Sequence, residues 1–275
     1  MTPKAALAFS ALSFFILGCA GIFASDPGGT RYRLTAAEPQ HLEATAEILR
    51  ERMRDAGTRH GTVSIEGEQL DVYVPSTIGD TKLLFMVGEL TFHQVDEPWT
   101  RWSEASPEAE EALEGFLNSA ATTPAPMEDF VAPSAPELSR SARFATWQRI
   151  HTPAPTGAHA QRAPVVIGPA LLTGSIDKAA LAVDGLDQSY VSVDFNTEGT
   201  IRFGEITAEH TGARLAIAID GMVFSAPVIH EPITRGQVSI TMYSTDSAAT
   251  ATLAAILNTT PLPASVTVEE MASEP

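Results

Sequence analysis

Residues 213–229 read ARLAIAIDGMVFSAPVI. Leu215 to Ile219 is a short apolar run, Asp220-Gly221 interrupts it, and a second run extends from Met222 to Ile229. Asp-Gly between two strand-like runs predicts a hairpin with a two-residue type I′ turn. That turn needs positive φ at both central positions, which glycine adopts freely and aspartate tolerates. Upstream, Phe203, Ile206, Thr207 and His210 stand at i, i+3, i+4 and i+7, which predicts a helix over 197–210 with Gly212 available as its C′ cap. Before it, YVSVDF (190–195) alternates, with Val191, Val193 and Phe195 on one face and Ser192 and Asp194 on the other. That is the pattern of a half-buried strand. GQVSIT (236–241) supplies another, so 190–241 reads strand, helix, hairpin, strand.

These pieces carry a family resemblance. The helix E-G-x-x-x-F-x-x-I-T (Glu198 to Thr207), the hairpin G-x-x-L-A-I-x-x-D-G (Gly212 to Gly221), S-A-P-V-I (225–229) and the G-Q-V-S-I strand occur in one order over about fifty residues. Together they resemble the head of the first periplasmic domain of SecD, the accessory subunit of the bacterial protein-export translocase. Each motif marks fold, with glycines at turns and apolar residues on core faces, and none carries chemistry. The resemblance implies a non-enzymatic periplasmic domain that binds extended or partly folded polypeptide in connection with protein export.

The chain has 275 residues, 44% hydrophobic and 19% charged, enough to bury a core in one or two domains. Its 17 Lys and Arg against 34 Asp and Glu give a formal charge of −17. That balance repels nucleic acid and anionic lipid at long range and serves solubility, so nucleic acid is not expected as a partner.

Residues 1–24 read as a targeting segment. Lys4 supplies positive charge, Ala5 to Leu17 is apolar, and Gly18-Cys19-Ala20 follows. Cys19 is the sole cysteine, so neither an intrachain disulfide nor a cysteine metal cluster can form. Its position resembles the lipobox of bacterial lipoproteins, which implies lipidation of Cys19. Leu17 departs from the usual small residue there. Ordinary cleavage after Gly18-x-Ala20 and retention as a membrane anchor stay open beside it. If Cys19 is acylated, Ala20 beside it points by family analogy to the outer membrane.

Residues 30–97 read as a base subdomain. Tyr32 and Leu34 start a strand, and Glu38 to Ala56 reads as a helix with Leu42, Ala46, Ile48-Leu49 and Met53 as its stripe, ended by Gly57. Strands over 60–67 and 68–75, a short helix over 80–87 and a strand over 89–95 complete a β-α-β-β-α-β order, the ferredoxin-like pattern. Leu49-Arg50-x-Arg52-Met53 resembles a feature of the SecD base, and both arginines read as part of a solvated helix face.

From 98 to 162 the composition turns to Pro and Ala (ATTPAP, APSAPE, TPAPTGAHA), which predicts a partly disordered insertion that the flanking motifs do not need. Within it, 106–119 reads as a weak helix and FATWQRI (144–150) as a strand. Trp99 and Trp102 read as anchors holding a loop to the domain. Residues 163–243 form the head. It enters through PVVIGPALLTGSIDKAALAVDG (164–185), read as a strand, a turn at Gly168-Pro169 and a short apolar helix after Ser175. Residues 244–270 predict a helix carrying Ala249, Leu253, Ile256 and Leu257, then a strand returning to the base. The fold class is α+β, a ferredoxin-like base with an α+β head and a long insertion.

Catalytic, cofactor and metal constellations are not expected. G-x-S-x-G, a phosphate loop and H-E-x-x-H are absent, and the seven histidines have no ligand spacing. No second apolar stretch of spanning length follows the first. The sequence therefore predicts a head and base on a tether, without the membrane-embedded proton path of the SecD family. The expected partners are exported or unfolded polypeptide captured at a sheet edge or hinge, or another envelope protein paired with a scaffold domain, with the membrane reached through the N-terminal lipid or anchor.

Overall fold

The computed structural model describes residues 28–96, 125–126, 143–148, 162–241 and 247–271. They form three sheets and three α-helices. The first sheet has the order β13-β1-β3-β2, built from β1 (Gly29–Ala36), β2 (Thr62–Glu66), β3 (Gln69–Pro75) and β13 (Val266–Met271), all antiparallel. Helix α1 (Leu42–Asp55) covers it, burying Leu42, Ala46, Leu49 and Met53 against Leu34, Leu70, Val72 and Val74. A fully buried side chain of this size contributes roughly 1.5–3 kcal/mol relative to leaving it exposed.

The ferredoxin-like pattern is present here, but different elements complete it. The segment expected as its second helix is a 3₁₀ turn at Thr81–Phe85, and β4 (Leu90–Val95) leaves for the second sheet. Helix α3 (Ser247–Asn258) and β13 take those places, so β1-α1-β2-β3 and α3-β13 form one unit interrupted by everything between. Among the described residues only β13 presents a partner in register to the free edge of β1, pairing Leu34 with Val268.

The second sheet has the order β11-β10-β4-β7-β6-β5, with a further parallel pairing of β11 to β6 at Val223 and Trp147. Its other strands are β5 (Ala125–Pro126), β6 (Arg143–Gln148), β7 (Arg162–Thr173), β10 (Leu215–Ile219) and β11 (Met222–Ser225). That pairing closes five strands into a ring. Val95, Val165, Ile167, Ala216, Ala218 and Val223 cluster inside it, where so small a ring admits only small and medium side chains. Residues 98–162, read as an unneeded insertion, thus supply a strand of this ring; the weak helix at 106–119, Trp99 and Trp102 lie outside the described residues. No turn forms at Gly168-Pro169. β7 runs through, its pairing with β4 shifting register between His93 and Val95, a bulge that admits the proline.

The third sheet has the order β12-β9-β8, from β8 (Ile176–Val183), β9 (Ser189–Phe195) and β12 (Gln237–Thr241). Residues 176–183, expected as a helix, form a strand because seven of them find partners on β9. A short apolar run is ambiguous between the two states, and pairing decides it. The β9 alternation is as read: Val191, Val193 and Phe195 are buried. Helix α2 (Thr197–Glu209) packs Phe203 and Ile206 on that face, with Phe92, Phe195 and Phe203 meeting at centroid distances of 4.8–5.5 Å. Asn196 caps α2 by accepting from the Gly199 N–H at 2.8 Å. Gly212 (φ 89) does not close the helix; its N–H donates to the Ile229 carbonyl and leads the chain into β10.

Candidate functional site

The 220–221 turn is the type I′ turn read from the sequence, with φ of 51° at Asp220 and 75° at Gly221 and Ile219 paired to Met222. The Asp220 carboxylate also accepts the N–H groups of Gly88 (3.0 Å) and Glu89 (2.9 Å), tying the hairpin to the segment before β4. On the other side of Gly88 lies Arg52, read as solvated and found completely buried. Its guanidinium donates to the carbonyls of Leu84 (2.8 Å), Met86 and Val87 (2.7 Å) and to Thr259 Oγ1 (3.1 Å). Burial pulls its pKa down to about 10, against the opposing field of Asp220, and it stays charged at neutral pH. Amphipathic periodicity cannot flag such a residue, because its partners are carbonyls more than thirty residues away in the chain. Arg50 is exposed, with one bond to the Val63 carbonyl.

This hub is structural. A surface able to recognise an extended chain must offer unpaired backbone groups, which in this fold lie at the sheet edges. The ring has joined β11 to β6. β13 presents Glu269 and Glu270, β2 presents Glu66 and has its Val63 carbonyl taken by Arg50, and β12 presents Gln237 and Ser239. Charged and polar edges resist strand addition.

β8 differs. Ala179 donates its N–H to Asn258 Oδ1 and accepts from Asn258 Nδ2, both at 2.7 Å, so its pairing groups point away from β9. Antiparallel strands repeat this orientation every second residue. Leu181 and Val183 therefore also direct their N–H and C=O to the free edge, where they meet no hydrogen-bond partner among the described residues. Their side chains share the face of Val191 and remain 41% and 57% exposed, and Leu186 in the turn beyond is 79% exposed. This is a short apolar edge with one end occupied by a side-chain amide.

Cys19 lies outside the described residues. His93 is held between β-strands by the Gly168 carbonyl and Thr91 Oγ1, both at 2.9 Å, and His210 bonds the Ile206 carbonyl. Among the described residues, no group of three or more His, Cys, Asp or Glu could hold a metal ion. No helix among them is long and apolar enough to cross a membrane.

The described residues form an α+β domain of three sheets, antiparallel apart from the β11–β6 pairing, with an apolar edge at β8. Residues 152–264 match the family model described as SecDF, P1 head subdomain, so this part of the chain is similar to that subdomain. The match extends across α3. The chain is 28% identical over 250 residues to the protein translocase subunit SecD of Desulfurispirillum indicum, covering 88% of this chain and 42% of that protein. It is 40% identical over 109 residues to the protein translocase subunit SecDF of Thermus thermophilus, covering 39% of this chain and 15% of that one. The chain thus spans less than half the length of these relatives. Among solved structures, SecDF in a super-membrane-facing form superposes with a TM-score of 0.53 at 24% identity, over 88% of this chain and 30% of that one. A second, of a membrane component SecDF that enhances protein export, gives 0.52 at 24% identity, over 89% of this chain and all of that one. These likenesses agree with the α+β fold.

Proposed function

We propose that this protein is a non-enzymatic periplasmic domain that binds extended or unfolded polypeptide in connection with protein export. The unpaired apolar edge of β8 carries the reading. Backbone N–H and C=O groups in a strand edge are complementary to another extended backbone, and the affinity of such pairing depends little on client sequence. The similarity of residues 152–264 to the SecDF P1 head subdomain supports the link to protein export. The test is titration of the purified protein with a reduced, unfolded secretory protein and with the same protein folded. Micromolar binding of the unfolded form alone is expected; a dissociation constant of about 1 µM corresponds to roughly −8 kcal/mol. Equal affinity for both forms, or none for either, would favour a scaffold domain paired with another envelope protein.

The protein works, on this reading, from the periplasmic side of the membrane, tethered by a lipid on Cys19. Support comes from the sole cysteine at the end of an apolar segment. Cys19→Ala is expected to release the protein from the membrane fraction and to change the mass of its processed N-terminus. Unchanged fractionation and processing would remove the lipid.

A further inference from the structure

We infer that Asn258 is the stop that sets register and length at the β8 edge, limiting a captured strand to the pairing groups of Leu181 and Val183. This rests on the polypeptide-binding reading and specifies its site. The Asn258 amide makes with Ala179 the two-bond exchange that a neighbouring strand makes, N–H to Oδ1 and Nδ2–H to carbonyl. An incoming backbone cannot occupy the same groups. At the other end β8 stops at Val183, and Asp184 turns the chain by accepting from Leu186 and Gln188. Two outward-facing residues remain between these limits.

The occupant is a short extended segment of polypeptide. Residues opposite Leu181 and Val183 share their face, where apolar side chains would cover the 41% and 57% left exposed. Around this edge Asp177, Asp184 and Asp187 outnumber Lys178. A segment with alternating apolar residues flanked by Lys or Arg is therefore favoured over the same segment flanked by Glu.

The experiment uses the full chain and synthetic nine-residue peptides, alternating Val and Thr between Lys or between Glu ends, with the unfolded secretory protein as a sequence-independent control. Asn258→Ala frees Ala179 and lengthens the edge. Affinity for the Lys-flanked peptide is expected to rise about tenfold, the equivalent of one to two added backbone bonds. Val183→Pro, tolerated at an edge but lacking the N–H, is expected to abolish binding. Amide exchange at Ala179 supplies a readout separate from stability: protected in the parent, fast in Asn258→Ala, and protected again when peptide is added. Unchanged or weaker peptide binding by a folded Asn258→Ala protein would overturn the inference, as would parental affinity in Val183→Pro. Should the unfolded protein bind while both variants behave as the parent, the edge is not the site although the function stands. If neither peptide nor unfolded protein binds, the function falls with it. Peptide-competed dimerisation of the chain would make a second copy the occupant and equally overturn it.

Discussion

Asp220, the first residue of the β10–β11 turn, accepts the backbone N–H of Gly88 through both carboxylate oxygens, at 3.0 and 3.1 Å. Gly88 needs its own positive φ of 91°, and a Cβ there would lie 2.9 Å from an Arg52 guanidinium nitrogen. One glycine thus separates the carboxylate of the hairpin from the buried cation of α1. Asp220→Asn keeps a side chain that tolerates left-handed backbone but removes the charge. The expected loss is about 1–2 kcal/mol, read as a lower urea midpoint at constant m-value. An unchanged midpoint would mean that the carboxylate contributes nothing beyond its shape.

Arg52→Lys keeps a positive charge and loses the planar fork that reaches three carbonyls and Thr259 Oγ1. We expect destabilisation of about 2–4 kcal/mol, because a buried ammonium cannot satisfy the same acceptors. A loss under about 0.5 kcal/mol, the usual range for surface substitutions, would return Arg52 to the solvated face of α1.

Gly221→Val places a β-branched side chain at φ 75°. Backbone strain of about 1–3 kcal/mol is expected, seen as a lower melting temperature. A melting curve overlaying the parent would contradict the type I′ geometry.

Deleting 103–160 removes β5 and β6, and with them the pairing that joins β7 to β11. The expected result is a destabilised protein with exposed ring edges, prone to aggregation in size-exclusion chromatography. A monomer with parental stability would show that the remaining strands close on their own, as the composition of the segment alone suggested.

The elements that could be read without coordinates are those whose instructions lie within a dozen residues. Asp220-Gly221 specifies its turn sterically, the Phe203-Ile206 spacing specifies α2, and the alternation of β9 specifies its buried face. Residues 176–183 show the limit of that reading: IDKAALAV satisfies helix and strand alike, and pairing with β9 chose the strand. The base shows it too, since the partner of β1 comes from residues 266–271 rather than from the next strand in the chain.

By itself, then, the sequence determined the α+β class, the hairpin and the head motifs, because local sterics and period need no distant partner. Tertiary structure alone decided that Arg52 is buried, that residues 143–148 close a ring, and that Asn258 occupies the edge of β8 at Ala179. Each depends on hydrogen-bond partners brought together from far along the chain. A buried cation, a closing strand and a strand-mimicking amide have the same local sequence appearance as their solvated counterparts, and only the acceptors placed opposite them distinguish the two.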